Sequence, residues 1–474
     1  MMHRRAFIAS VLAAAATPAL PRLSLAKVGD GVFELRASVT QHALAGGDHA
    51  SSDLWLYNGE TPGPIIRVTQ GERVRVRFVN DLAEPTSVHW HGIRIENAMD
   101  GVSGLTQQPV PPGGSFDYDF TVPDAGTFWY HAHNKSWSHV ARGLYGPLIV
   151  DEPTPTFDSN RDLTLVLDDW RLGQDGALHD ASLGAFMDWS HAGRLGNWMT
   201  VNGQSSPRFD LATGKAHRIR LINAANARVF QIDPSALGAK LIGLDGFVFD
   251  APRSIDGPIA FAPAQRMDLL VQRQEQGSFA LIDTGDFALQ QMSEAEPVPL
   301  ATFEFAGGAA KLEMAPILSP NAIAEPDIQG AMRVPLILTG GAMGRAGAMT
   351  YNGEPLTRPV MMEHQQVWAF NGAANMTTDP MFAARRGQTI IVETINRTGW
   401  AHAMHVHGHH FRVITRNGHS VENADWRDTF FIDRDETVEI AFVADNPGRW
   451  MLHCHMLEHA AAGMRNWFSV GANS

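Results

Sequence analysis

The feature that most constrains this chain is a spacing that occurs three times. Pro64, Gly71 and Asn80 stand seven and nine residues apart, as do Pro207, Gly214 and Asn223, and again Pro380, Gly387 and Asn396. Each set follows a tryptophan and an Asn-Gly pair: Trp55 with Asn58-Gly59, Trp198 with Asn202-Gly203, Trp368 with Asn371-Gly372. Between glycine and asparagine run alternating or β-branched apolar residues, such as Val74-Arg75-Val76-Arg77-Phe78-Val79 and Ile390-Ile391-Val392-Glu393-Thr394-Ile395, which is a strand pattern. A recurring spacing of this kind marks a recurring structural unit, so three copies of one β domain are the simplest account. Sparse helix signals and frequent Gly and Pro turns favour an all-β class of small Greek-key sandwiches or barrels. The 474 residues are enough for three such domains, each with its own core.

The boundaries expected from this reading are a leader over 1–26, a first domain over 27–153, a second over 154–306, a linker over 307–334 and a third domain over 335–474. The leader reads His3-Arg4-Arg5-Ala6-Phe7-Ile8, then an alanine-rich apolar run to Leu20, then Ser24-Leu25-Ala26. That fits a twin-arginine export signal ending in a small-x-small cleavage site and implies a periplasmic protein. No later run is apolar and long enough to span a bilayer. The chain carries a formal charge of −13, and loss of Arg4, Arg5 and Arg22 with the leader makes it more acidic still. Nucleic acid and anionic membrane are therefore not expected partners. With one cysteine, Cys454, no internal disulfide can form, and an exported protein needs a reason to keep a lone thiol.

The repeat carries over into chemistry. Nine residues past Asn80 comes His89-Trp90-His91, and nine past Asn396 comes His405-Val406-His407; nine past Asn223 comes only Ile232. Further on, Gly126 precedes His131-Ala132-His133 by five residues and Gly448 precedes His453-Cys454-His455 by five, whereas Gly277 leads to Ile282-Asp283-Thr284. The two outer domains thus carry paired histidines that the middle one lacks. On a strand, residues i and i+2 share a face, so each His-x-His pair offers two imidazoles to one site, and Cys454 points away from its flanking histidines. Two His, a Cys thiolate and a weak axial Met form the ligand set of a blue-copper centre, and His402, Cys454, His459 and Met464 supply it. Eight imidazoles remain, enough for three further coppers. Ligation also explains a thiol that oxygen would otherwise oxidise.

The four motifs, His89-x-His91, His131-x-His133, His402-x-x-His405-x-His407 and His453-Cys454-His455-x-x-x-His459-x-x-x-x-Met464, resemble those of the multicopper oxidases, a family that includes laccases, bacterial cuprous oxidases and ascorbate oxidases. The resemblance spans residues 30 to 470 and implies cupredoxin-like domains and four copper ions. It assigns His402, Cys454, His459 and Met464 to a type 1 copper and His89 and His405 to a type 2 copper. It gives His91, His131 and His455 to one type 3 copper and His133, His407 and His453 to the other. It implies that a reducing substrate gives electrons near an exposed edge of His459, that Cys454 passes them to His453 and His455, and that dioxygen is reduced to water. Asp100, nine residues after His91, matches the family's acid beside the type 2 site and is expected to relay protons. Asp428 matches a motif near the third domain's core and is expected to be structural. Bacterial members often carry an acid after the last type 1 histidine, where this chain has Ala460.

For the reductant, two chemistries compete. Seven of the 19 methionines (Met332, Met343, Met349, Met361, Met362, Met376 and Met381) fall within fifty residues and offer soft ligands for Cu(I), or else fill core gaps. Yet Thr398-Gly399-Trp400-Ala401, before the type 1 histidine, lacks the acids and methionines expected beside a cuprous site. Laccase-like oxidation of phenols or aromatic amines is the favoured expectation, by a monomer, with cuprous oxidation in copper tolerance the alternative. The thioether Met464 implies a moderate type 1 potential. A two-domain nitrite reductase is disfavoured by the third repeat, and a copper-storage scaffold of the same fold is separated by oxygen uptake. His139, His179, His191, His217, His364, His409, His410 and His419 fall outside the motifs and are read as ordinary histidines.

Overall fold

Each Asn-Gly pair turns a strand back on its neighbour. Asn58, Asn202 and Asn371 have φ of 54°, 53° and 51°, followed by Gly59, Gly203 and Gly372 at 75°, 72° and 82°. Two left-handed residues in succession make the tight turn whose twist matches paired strands, and Asn-Gly is the pair that adopts it at least cost. The asparagine side chain then clamps the strand before it. Its Oδ1 accepts from the N–H of Arg36, Val166 or Ile337 at 2.7–2.8 Å, and its Nδ2 donates to the carbonyl of Glu34, Thr164 or Pro335.

The second asparagine of each repeat has an equally specific task. The Oδ1 of Asn80, Asn223 and Asn396 accepts from the N–H two residues on, in Leu82, Ala225 and Thr398. Their Nδ2 groups donate to Glu84 and Val110, Arg228 and Phe261, and Trp400 and Asp433 carbonyls. All three are buried, so each fixes the loop leaving its strand by hydrogen bonds that no apolar residue replaces.

The computed structural model describes residues 25–27, 31–285, 287, 296–308, 311–344 and 348–471; the twin-arginine segment lies outside them. Three two-sheet units follow one another. In each, the first strand pairs parallel with the strand ending in the repeat asparagine: Phe33–His42 with Arg73–Asn80, Asp162–Trp170 with His217–Asn223, and Met332–Gly340 with Gln388–Asn396. The burial of Arg73–Asn80 alternates residue by residue, one face on the core and one in solvent. The second sheets also correspond, with Val88–His91, Phe230–Asp233 and His402–Val406 at equivalent places beside Gly126–Ala132, Gly277–Asp283 and Gly448–Cys454.

The third unit opens at Met332, three residues before the expected 335. Pro335 lies within the strand on its exposed side, with Val334 and Leu336 facing the core. The connection before it is pinned to the first two units. Glu313 accepts from the Ala216 N–H at 2.8 Å, and Asn321 bonds both backbone groups of Ala125. Leu25–Lys27, which straddles the expected cleavage point, pairs with Ile65–Arg67. No helix among the described residues is long and apolar enough to cross a membrane.

The cores are distributed unevenly. Buried side chains of the first and third units, from Leu35 and Trp90 to Trp368 and Phe468, merge into one cluster, while the second keeps its own around Leu165, Phe230 and Phe303. Chain ends far apart in sequence thus share one packed interior, and the histidine motifs lie along it.

Candidate metal centre

Strand register brings the motifs face to face. His89 lies opposite His131 in the first unit and His405 opposite His453 in the third; in the second, Ile232 lies opposite Asp283. Alternation sends Trp90 and Tyr130 into the apolar interior, and on the facing strand it sends Cys454 there too, opposite Met404. Across the junction of the two units, the rings of His91 and His405 stack at 3.7 Å between centroids and those of His89 and His407 stand at 4.1 Å.

Four sets of side chains have ligand-type atoms mutually within 4.8 Å: His89, His91 and His405; His91, His131 and His455; His133, His407 and His453; and His402, Cys454 and His459. Asp100 forms a fifth set with His89 and His407. The sulfur of Cys454 stands 3.6 Å from His402 Nδ1 and 3.7 Å from His459 Nδ1. Met464 is fully buried beside them. Its carbonyl accepts from the Cys454 N–H and its own N–H donates to the His459 carbonyl, both at 2.9 Å.

In most of these rings one nitrogen is occupied by a hydrogen bond and the other is turned inward and bare. His89 Nδ1 donates to the Asp100 carbonyl at 2.8 Å and His405 Nδ1 to the Asp428 carbonyl at 2.9 Å, which leaves both Nε2 atoms buried without a partner. His91 is reversed: Nε2 donates to the Asp428 carboxylate at 3.2 Å and Nδ1 is bare. His407 gives its Nδ1 proton to Asp100 and His453 gives its own to the Cys454 carbonyl, so their two Nε2 lone pairs face each other at 3.1 Å. His402 and His459 likewise spend Nε2 on Thr398 Oγ1 and the His191 carbonyl, at 2.8 and 2.7 Å, and turn bare Nδ1 atoms together at 3.1 Å. Two opposed lone pairs repel unless a cation lies between them, and metal-bound histidines typically hold their other nitrogen in this way.

Electrostatics agrees with the geometry. Burial, and the nearness of other imidazoles, hold His91, His131, His133, His402, His405, His407 and His455 well below the ordinary histidine range. Burial also takes His453 and His459 down to about 4. These rings are therefore neutral and carry a free lone pair at pH 7, as a metal requires. Burial pushes the Cys454 thiol up to about 12, so a thiolate there needs an adjacent cation. Copper suits this combination of soft sulfur and imidazole.

Around these rings stand the acid expected beside His89 and partners that the sequence did not announce. Asp100 is fully buried, with its carboxylate 3.1 Å from His407 Nδ1 and 3.3 Å from His89 Nδ1. Gly101 makes that approach possible: its φ is +80°, and a Cβ there would lie 1.8 Å from the Val88 carbonyl oxygen. Asp428, expected to serve only the third domain's core, instead touches His91 and accepts from Arg266 of the second unit. Burial alone would raise its pKa, but the Arg266 guanidinium overrides this and holds it well below the usual carboxylate range. Thr398 ties His402 to the repeat asparagine Asn396, whose Oδ1 accepts from its hydroxyl at 2.8 Å.

One expectation needs correction. His459 has no exposed edge: it is 0% accessible and covered through Nε2 by His191, which follows the helix Phe186–Ser190 of the second unit. Of the two readings of the methionines between 332 and 381, core filling is the one their placement fits. Met332, Met361 and Met381 pack on the large core, Met376 packs with Val102, Leu105 and Met451, and Met343 and Met362 are exposed. His139, His409 and His410 are buried with hydroxyl or backbone partners and join none of the ligand sets.

Comparison with known proteins agrees. Family models described as multicopper oxidase match residues 38–155 and 353–474. The chain is 30% identical over 445 residues to a multicopper oxidase of Mycobacterium tuberculosis, covering 86% of this chain and 81% of that one. It is 30% identical over 455 residues to laccase-1 of Fomitopsis schrenkii, with the same coverage. Its fold superimposes on a multicopper oxidase of Pseudomonas thermotolerans with a TM-score of 0.79 at 31% identity, covering 93% and 99% of the two chains.

Proposed function

Because this chain belongs to the multicopper oxidase family, we propose that it is a laccase-like oxidase that takes electrons singly from phenols or aromatic amines and passes four to dioxygen, yielding water. The observation that carries the reading is the position of Cys454. Its sulfur meets His402 and His459, while the rings of its two neighbours face His407 and His131, so one tripeptide contributes to three ligand sets, its sulfur to one and its flanking imidazoles to two others.

Four bound coppers, one in the Cys454 set and three among the eight remaining histidines, would supply the one-electron chemistry. Everything else falls to the protein. Thr398 and the His191 carbonyl hold His402 and His459 in one tautomer and orientation. Asp100 orients His407 and stands beside His89, where a carboxylate is placed to hand protons to oxygen as it is reduced. Arg266 of the second unit fixes His91 through Asp428 of the third.

An organic reductant is supported by the surroundings of His402. Trp400 and Ala401 line a small apolar depression with Ala192, Ala227, Val229, Phe287 and Met456, with no charged group there to draw a metal ion. The scattering of the methionines points the same way, and several relatives are named laccases. One solved relative, from Campylobacter jejuni, is described as a metallo-oxidase, and cuprous oxidation is the outcome to test against. We further propose that the twin-arginine leader exports the protein to the periplasm, where it acts as a monomer. Oxygen uptake by the copper-loaded protein on dimethoxyphenol, Cu(I) and Fe(II) decides the substrate. Turnover of the phenol without added Cu(II) supports this reading, and turnover only with excess copper overturns it in favour of metal-ion oxidation.

A further inference from the structure

Beside the histidine cluster lies a pocket of about 330 Å³ that opens to solvent. At ~30 Å³ per molecule it has room for about ten waters. His133 and His453 form part of its wall, and Ala460, Ala461 and Arg465 face it from the segment that carries His459. Its charges are all of one sign. Lys135 and Arg465 line it, and no aspartate or glutamate does; the position where bacterial relatives often carry an acid is Ala460.

Lys135 already has a counter-charge, Glu84, at 2.8 Å. Arg465 does not. Its Nε donates to the Asn375 side-chain oxygen at 2.6 Å, and no carboxylate among the described residues forms an ion pair with it. A guanidinium removed from bulk solvent is costly unless paired. Here it also pairs in register with His453, so metal cations bound by the histidines would add like charge beside it. A pocket lined by Lys135 and Arg465 and by no carboxylate, with the Arg465 guanidinium outside any ion pair among the described residues, is suited to one class of ligand.

We propose that this cavity binds a small monovalent anion, a halide or a short carboxylate, held by Arg465 alongside His133 and His453. The anion supplies the negative charge that Ala460 does not. The site reaches the same histidines as the oxidase reading but is tested separately from it, since anion binding is measured without turnover.

The test is anomalous diffraction from bromide-soaked crystals of the copper-loaded protein, repeated after copper removal. A bromide within hydrogen-bond distance of the Arg465 guanidinium in both forms is the expected result, since the second form excludes halide bound to metal. Added formate then identifies the preferred ligand: displacement of bromide assigns a carboxylate and retention a halide. In solution, Arg465→Gln raises the bromide concentration needed for half-inhibition of oxygen uptake by about tenfold or more, the worth of a charged hydrogen bond. Ala460→Glu, which adds a carboxylate to the cavity and leaves Arg465 in place, shifts it in the same direction. Bromide found only at metal positions or on the outer surface, or parental bromide sensitivity in both variants, overturns the proposal.

Discussion

Replacing Arg266 by methionine tests whether the second unit, which has no ligands of its own, supports the centre. Arg266 is fully buried and donates in five directions: to both oxygens of Asp428, to the carbonyls of Ala264 and Asp245 at 2.9 and 3.0 Å, and through Nε to Thr127 at 3.0 Å. Methionine keeps much of the volume and removes every donor. Asp428 is then a buried carboxylate without its cation, and breaking a buried pair from one side costs about 3–5 kcal/mol. Part of that cost is escaped by protonation, because burial raises the pKa of Asp428 once Arg266 no longer opposes it. A protonated Asp428 no longer fixes the His91 tautomer, so the variant should lose metal as the pH is lowered through a range where the parent keeps it. Urea denaturation of the copper-depleted protein at pH 7 measures the first effect, and copper content against pH the second. Arg266→Met with Asp428→Asn should cost less than the two single changes together, by about 1–3 kcal/mol. A loss below about 1 kcal/mol for Arg266→Met, or strict additivity in the double variant, would refute the argument.

Other consequences can be read from single contacts. Asp100→Asn keeps the shape but not the charge, and should lower the rate of oxygen reduction about 10²–10⁴-fold while leaving anaerobic reduction of the blue centre by substrate unchanged; stopped-flow absorbance separates the two steps. Thr398→Val removes the acceptor from His402 Nε2, and copper at that site should be held about 10–100-fold less tightly, as competition with a chelator would show. The copper-depleted protein should lose stability as pH falls from about 6.5 towards 4. In that window the unfolded chain takes up protons that the buried His453 and His459, each held down to about 4, refuse. Melting temperatures constant from pH 7 to 4.5 would contradict this.

What sequence can convey here depends on whether a residue's task is local. The Asn-Gly turns and the clamping asparagines act within their own repeat, so their period appears directly in the chain, and so do the His-x-His pairs that alternate on a strand. Partners joined only by folding leave no such trace. Arg266 and Asp428 are 162 residues apart and come from different units, and nothing in the spacing of either announces the pairing. The cover over His459 was missed for the same reason: the contact is a backbone carbonyl of His191, and a carbonyl has no residue identity to read. The methionine-rich stretch left two readings open. Closeness in sequence allowed either a ligand cluster or core filling, and strand and turn geometry sends its side chains to different faces.

The central claim is that one cysteine joins two metal sites, and Cys454→Ser tests it most directly. With copper content and oxygen uptake measured on the same preparation, the variant should lose one copper per chain and its blue absorption, keep the coppers held by histidines alone, and consume no oxygen with dimethoxyphenol. Oxygen uptake at the parental rate in that variant would contradict the account.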